Sequence, residues 1–187
     1  GRLDDAVASY EKALTFKPDY AEANYNLGNT LRELGQMDDA VASYDKAIAI
    51  KPDYAEAHYI LGNALQDLGK LDEAVSSYHK ALTIKPDYAD ALNNLGIVLK
   101  ERGKLDEAVA SYLKALAIEP DLAEAHNNLG IVLKELERLD DAVASYEKAL
   151  TFKPDYAEVH NNLGNVLKDL GRLDDAVASY EKALTFK

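Results

Sequence analysis

KPDYAEA, residues 17–23, is the stretch that decides the fold. It returns unchanged at 51–57, then in edited form as KPDYADA at 85–91, EPDLAEA at 119–125 and KPDYAEV at 153–159, each 34 residues after the last. A constant interval of that size is the signature of an array built from one supersecondary unit, in which each unit buries its apolar face against its neighbours.

The helix breakers keep the same register. The five prolines share one column: Pro18, Pro52, Pro86, Pro120 and Pro154. The ten glycines share two, one being Gly28, Gly62, Gly96, Gly130 and Gly164, the other Gly1, Gly35, Gly69, Gly103 and Gly171. Proline lacks an N–H and clashes with the preceding turn, so it stops a helix. Glycine in the Gly35 column closes another by taking the left-handed conformation. Two stops per unit predict two helices and two turns. KPDYAEA is therefore a stop followed by a start. Asp19 is expected to cap the next helix, with Glu22 three residues on completing a capping-box variant. The first helix is predicted over roughly Tyr20–Leu34 and the second, capped by Asp38, over roughly Asp39–Ile50.

Each helix has one apolar face: Ala23, Leu27, Thr30, Leu31 and Leu34 on the first, and Met37, Ala40, Val41, Tyr44, Ala47 and Ile48 on the second. The tyrosine column Tyr10, Tyr44, Tyr78, Tyr112, Tyr146 and Tyr180 falls in this core. The Gly28 column lies inside the first helix, where glycine costs about 1 kcal/mol against alanine. Its recurrence predicts a paired helix too close for a Cβ, with the Ala40 and Ala47 columns as the matching small surface. Glu137 stands where the other turns have glycine. If that residue is left-handed, Glu137→Gly should stabilise by up to about 1 kcal/mol.

Composition narrows the function classes. The chain has 187 residues, a formal charge of −12 and no cysteine, which removes disulfides, thiolate metal sites and cysteine nucleophiles. Nucleic acid and anionic membrane need a basic footprint and are disfavoured; a charged partner is expected to be basic. No apolar run approaches the roughly 18 residues of a membrane helix, and none looks like a signal peptide. A cytoplasmic setting is compatible, and the sequence leaves localisation otherwise open. Gly1 falls in mid-repeat, so a fragment of a longer chain is expected.

The residues now carry a resemblance. Asn24-x2-Leu27-Gly28-x2-Leu31, Ala40-x3-Tyr44 and Pro52 resemble the tetratricopeptide (TPR) signature W-x2-L-G-x2-Y…A-x3-F…P. Asn, His or Leu replaces the signature Trp, Leu its first Tyr, and Tyr its Phe. The match recurs five times and covers the whole chain. It implies an all-α TPR solenoid of stacked antiparallel helical hairpins, wound in a right-handed superhelix with a concave inner surface. In that register 1–17 is a lone second helix, and 18–51, 52–85, 86–119, 120–153 and 154–187 are five complete hairpins of one solenoid, 1–187.

Stepping about 100° per residue along the first helix puts Glu22, Tyr25, Asn26, Asn29, Arg32 and Glu33 opposite the apolar face. The resemblance implies that this face lines the groove. Its columns hold Asn26, Ile60, Asn94, Asn128 and Asn162; then Tyr25, Tyr59, Asn93, Asn127 and Asn161; then Asn29, Asn63, Ile97, Ile131 and Asn165. An Asn amide offers two donors and an acceptor, which suits a peptide main chain. Asn ahead of Leu-Gly resembles the TPR superhelix of O-linked N-acetylglucosamine transferases, which implies peptide or protein-substrate docking. Two acidic columns flank the amides: Glu22, Glu56, Asp90, Glu124, Glu158, and Glu33, Asp67, Glu101, Glu135, Asp169. Only Arg32, Lys100, Lys134 and Lys168 oppose these ten acids. A basic or neutral ligand is favoured, and a carboxylate clamp of the kind found in chaperone-binding TPRs is not. The bland alternative is that the asparagines and acids form a solvated helix face.

Catalytic constellations are absent from the pattern. His58, His126 and His160 share a column one repeat apart, too far to share a metal, and are expected to be packing or surface residues. Paired acids such as Asp38–Asp39 and Asp140–Asp141 open helices, where they favour the dipole. No triad and no phosphate loop are present, so no enzyme, metal or cofactor is expected. The sequence points to a protein–protein interaction module that binds an extended peptide or partner segment. Two alternatives stand beside it. One is a self-assembling scaffold, using end helices 3–16 and 173–186 that lie in identical segments, 1–17 and 171–187. The other is the substrate-recognition arm of a larger glycosyltransferase-like enzyme. The block DDAVASYEKALTFK, found at 4–17, 140–153 and 174–187, also fits recent duplication or design.

Overall fold

The computed structural model describes residues 1–186. Among the described residues there are eleven helices and no strand: α1 Arg2–Phe16, α2 Ala21–Glu33, α3 Met37–Ile50, α4 Ala55–Asp67, α5 Leu71–Ile84, α6 Ala89–Glu101, α7 Leu105–Ile118, α8 Ala123–Glu135, α9 Leu139–Phe152, α10 Ala157–Asp169 and α11 Leu173–Thr185. The chain forms two compact units, Gly1–Asn94 and a second beginning at Leu95, with the division inside α6. In the first unit α2 packs on α3 and α4 on α5, while α1 packs on α2 and α3 on α4. In the second, α8 packs on α9 and α10 on α11; α7 packs on α8, α9 on α10, and α8 also touches α10.

The helix starts differ from the expectation in opposite senses, the first helix beginning one residue later and the second two residues earlier. Tyr20, not Asp19, is the N-cap of α2, extended at φ −94° and ψ 92°, with no side-chain cap bond. Tyr54, Leu122 and Tyr156 hold the same place. The reason is the turn made by the proline and aspartate: the Tyr54 N–H donates to the Lys51 carbonyl at 3.2 Å, so the aspartate is spent inside the turn. The second helix starts earlier than expected. Gln36 is the N-cap of α3, and Asp38 lies in the first turn with Asp39, where both favour the dipole. Gln36 serves two helices. Its N–H donates back to the Leu31 carbonyl at 2.9 Å to close α2, and its own carbonyl accepts from Ala40 at 3.0 Å to open α3.

The left-handed residue of this turn is where the sequence put it. Gly35, Gly69, Gly103 and Gly171 have φ between 71° and 76°, and Glu137 takes φ 57° in their place.

The core sits between the two helices of each hairpin. Tyr44, Tyr78, Tyr112 and Tyr146 are fully buried, as are Ala40, Ala47 and their counterparts in α5, α7 and α9; in the end helices Ala6, Ala13 and Ala183 are only half-buried. The close approach at the Gly28 column is real, but what approaches is the tyrosine ring rather than the alanine surface. A Cβ at Gly28 would lie 2.5 Å from the Tyr44 ring, and at Gly130 2.6 Å from the Tyr146 ring. The missing side chain is therefore the recess that seats the ring. α1 buries no residue and α11 only Ala176 and Ser179, leaving Leu173, Val177 and Leu184 exposed.

Candidate binding face of the first helices

In the first unit, α2 and α4 turn Glu22, Asn26, Glu33, Glu56 and Asp67 to solvent, with Tyr25, Asn29, Arg32, Tyr59, Ile60 and Asn63 half-buried beside them. The start of α6 adds exposed Asp90 and half-buried Asn94. In the second unit Glu101, Glu124, Glu135, Glu158, Asn161, Lys168 and Asp169 are exposed, and Ile97, Asn128, Ile131, Asn162 and Asn165 are half-buried. Two residues expected on the open face lie inside instead. Asn93 is 5% exposed and Asn127 3%. Asn127 sits in the seam between consecutive first helices, where its Oδ1 accepts from Asn162 Nδ2 at 3.2 Å. Asn161 shares its column yet is exposed, because no later first helix of the described residues covers it.

The amides are oriented from beneath by the core tyrosines. Tyr44 Oη donates to Asn29 Oδ1 at 2.9 Å, Tyr78 to Asn63 Oδ1 at 2.7 Å, and Tyr180 to Asn165 Oδ1 at 3.0 Å. Asn63 Oδ1 also accepts from Asn94 Nδ2 at 2.9 Å, and the same Nδ2 lies 3.2 Å from Tyr59 Oη. Asn29, Asn63 and Asn165 therefore use their oxygens inside the protein and keep their NH2 groups as donors, whereas Asn94 spends its NH2 on Asn63 and Tyr59. In α6 and α8 the column is Ile97 and Ile131, so Tyr112 and Tyr146 face no amide there. Burial pushes the Tyr44 hydroxyl up to about 12. It raises Tyr112 and Tyr146 too, with the nearby carboxylates Glu101 and Glu135 at Tyr112, and Glu158 and Glu135 at Tyr146, adding to the shift. All of these phenols are neutral donors at ordinary pH.

The charged columns are partly cross-paired. Lys100 Nζ lies 3.5 Å from Glu135 and Lys134 Nζ 3.2 Å from Asp169, each lysine meeting an acid one repeat on.

The joints carry a feature that the columns of the first helices alone do not reveal. The cap tyrosines face tyrosines of the first helices: Tyr25 and Tyr54 have ring centroids 5.1 Å apart, and Tyr59 and Tyr88 4.8 Å. Lys51 and Lys85 lie over Tyr54 and Tyr88, each at 4.5 Å. The signal was in the repeat itself, since KPDY becomes EPDL at 119–122, losing the cation and the ring together.

The histidines hold joints. The Nε2 of His58, His126 and His160 lies 3.1, 2.9 and 2.8 Å from the carbonyl of Pro52, Pro120 and Pro154. Among the described residues no cluster of three or more His, Cys, Asp or Glu could hold a metal, and no helix is long and apolar enough to cross a membrane.

Comparison with known proteins agrees with this architecture. A family model described as TPR repeat matches residues 1–33, 28–69, 62–101, 98–137 and 132–171, and one described as tetratricopeptide repeat matches 157–187. No curated protein is significantly similar in sequence. Among solved structures, a MamA protein is 27% identical, covering 86% of this chain and 94% of its own, with a TM-score of 0.81. YrrB, a TPR protein with an unusual peptide-binding site, is 24% identical over 95% of this chain and 92% of its own, with a TM-score of 0.78. PilF of Pseudomonas aeruginosa is 24% identical over 100% of this chain and 79% of its own, with a TM-score of 0.80. With its 34-residue hairpins, its glycine-seated aromatic core and family matches running from residue 1 to residue 187, the chain belongs to the tetratricopeptide repeat family.

Proposed function

We propose that the chain is a non-catalytic interaction module that holds an extended peptide or partner segment on the exposed face of its first helices. The observation that carries this reading is the orientation of the amides. Asn29, Asn63 and Asn165 have their oxygens held by tyrosine hydroxyls, so they offer donors in a fixed direction. Main-chain carbonyls, which recur along any extended peptide, are the matching acceptors. The flanking acids select a basic or neutral segment over an acidic one. The likeness of the Asn-Leu-Gly triplets to the TPR superhelix of O-linked N-acetylglucosamine transferases supports the same reading, and a substrate-recognition arm of a larger enzyme would use the face in the same way. A peptide-binding site in YrrB, a protein of this fold, is a further support.

The test is a peptide-library selection run in parallel on the protein and on Asn29→Ala/Asn63→Ala/Asn165→Ala, the residues whose amides the tyrosines hold. The variant should lose about tenfold in affinity for the enriched peptides, the size of one or two lost hydrogen bonds, while its melting curve shows it folded. Equal enrichment by both would remove the face from the reading. A second reading, self-association through helices 3–16 and 173–186, is favoured by the exposure of Val177 and Leu184. A mass that stays monomeric over a concentration series would dismiss it.

A further inference from the structure

The first unit presents something on its face that the second lacks. Tyr25 of α2 meets Tyr54 at the cap of α4, with ring planes 39° apart; one repeat on, Tyr59 meets Tyr88 with planes 42° apart. All four rings are half-buried, so part of each is open to solvent. Three successive first helices each add one exposed carboxylate close enough to act on these rings: Glu22, Glu56 and Asp90. Their charges are felt at the phenols: Glu22 and Glu56 act on Tyr54, and Glu56 and Asp90 on Tyr88.

An aromatic face carries negative electrostatic potential, and a cation within about 6 Å of its centroid is stabilised. Carboxylates beside the rings add to that attraction and repel an anion. The rings already show the preference, since Lys51 and Lys85 lie over Tyr54 and Tyr88. Among the described residues no ammonium lies over Tyr25 or Tyr59. Half-buried Ile60, next to Tyr59 in sequence, offers an apolar neighbour for the methylene stem of a long cationic side chain.

We propose that Tyr25, Tyr54, Tyr59 and Tyr88, with Glu22, Glu56 and Asp90, form a subsite for the guanidinium of an arginine carried by the bound peptide. Arginine is favoured over lysine because its planar, weakly hydrated group stacks on a ring and meets a carboxylate with two parallel N–H donors. The subsite rests on the peptide reading above and specifies what that peptide carries.

The experiment uses three acetylated, amidated octapeptides: alternating glycine and arginine, glycine and lysine, and glycine and glutamine. Binding is measured to the full chain and to Tyr25→Leu/Tyr59→Leu, Tyr25→Phe/Tyr59→Phe and Glu22→Gln/Glu56→Gln. Asp140→Asn/Asp141→Asn removes the same charge elsewhere as a control. The arginine peptide should bind about fivefold tighter than the lysine peptide. The Leu pair should erase that margin, the Phe pair keep most of it, and the Gln pair reduce it about threefold more than the control. Helical circular dichroism identifies any variant that fails to fold, and the Gln pair then carries the test. Equal binding of arginine and lysine peptides, untouched by the Leu and Gln pairs, overturns the subsite. If the asparagine variant still loses its selected peptides in that case, the peptide reading survives. If the wild-type chain retains no peptide at all, both fall together.

Discussion

The two units share a scaffold and differ on one face. In both, a glycine inside the first helix seats a tyrosine ring, alanines line the second helix, and proline or a left-handed residue ends each helix. On the exposed face the first unit has Tyr25, Tyr59 and the amides Asn29 and Asn63; the second has Asn161, keeps Asn127 of the same column buried, and at two of its three positions in the next column carries Ile97 and Ile131. The first unit links consecutive repeats through tyrosine pairs as well as through the Asn94–Asn63 amide bond. The second links them through Asn162–Asn127 and the ion pairs of Lys100 and Lys134. Variation thus collects on the face where the fold does not need a particular residue.

That division predicts equal damage to the shared scaffold. Gly62→Ala and Gly130→Ala place a Cβ 2.7 and 2.6 Å from the buried rings of Tyr78 and Tyr146. Each ring must move in a packed core, and the substitution should cost about 2 kcal/mol after alanine's helix preference is counted. Urea unfolding combined with hydrogen exchange read separately in each unit checks this, because repeat proteins lose strength locally. A large loss in one unit and none in the other would mean that the scaffold is not shared.

The next effect should separate the units. Tyr78→Phe removes a hydroxyl that donates to Asn63 and Gln66, leaves the asparagine oxygen short of a donor, and should cost about 1 kcal/mol. Tyr112→Phe faces Ile97 and should be close to neutral. Equal losses for the two would show that the tyrosine–asparagine bond does not orient the face.

Much of this was legible in the sequence because the repeat states each rule several times. Pro52 and Gly35 are punctuation whose meaning depends only on local backbone chemistry, so the left-handed turns could be placed and the helices set to within two residues. The cap was off by one residue at the first helix, because KPD closes its own turn through the Lys51 carbonyl, and by two at the second, because Gln36 belongs to two helices at once. Periodicity gave the direction of each side chain from its own helix but not what lies one repeat away. Asn127 and Asn161 occupy the same column, and only the helix packed against Asn127 buries it. The Tyr25–Tyr54 pair was invisible for the same reason: one ring lies on a helix and the other in a joint, 29 residues apart.

The smallest effect tests the one place where the second unit departs from the scaffold rather than the face. Glu137 adopts φ 57°, whereas the matching turns of the first unit use Gly35 and Gly69 at φ 76° and 71°. The turn is otherwise the same: the N–H groups of Glu137 and Arg138 reach Lys134 and Leu133 at 2.9 Å each, as those of Gly35 and Gln36 reach Arg32 and Leu31. A side chain there meets no obstacle, since a Cβ built on Gly35 or Gly69 has nothing within 4 Å. The cost of glutamate is therefore backbone strain alone, about 1 kcal/mol, offset in part by the greater freedom glycine gives the unfolded chain. Glu137→Gly should gain about 0.5 kcal/mol and Gly69→Glu lose a similar amount, both read from the urea midpoint at constant slope. Opposite and equal shifts would make the two turns interchangeable. A loss on Glu137→Gly would show that its side chain contributes more to this turn than its backbone costs.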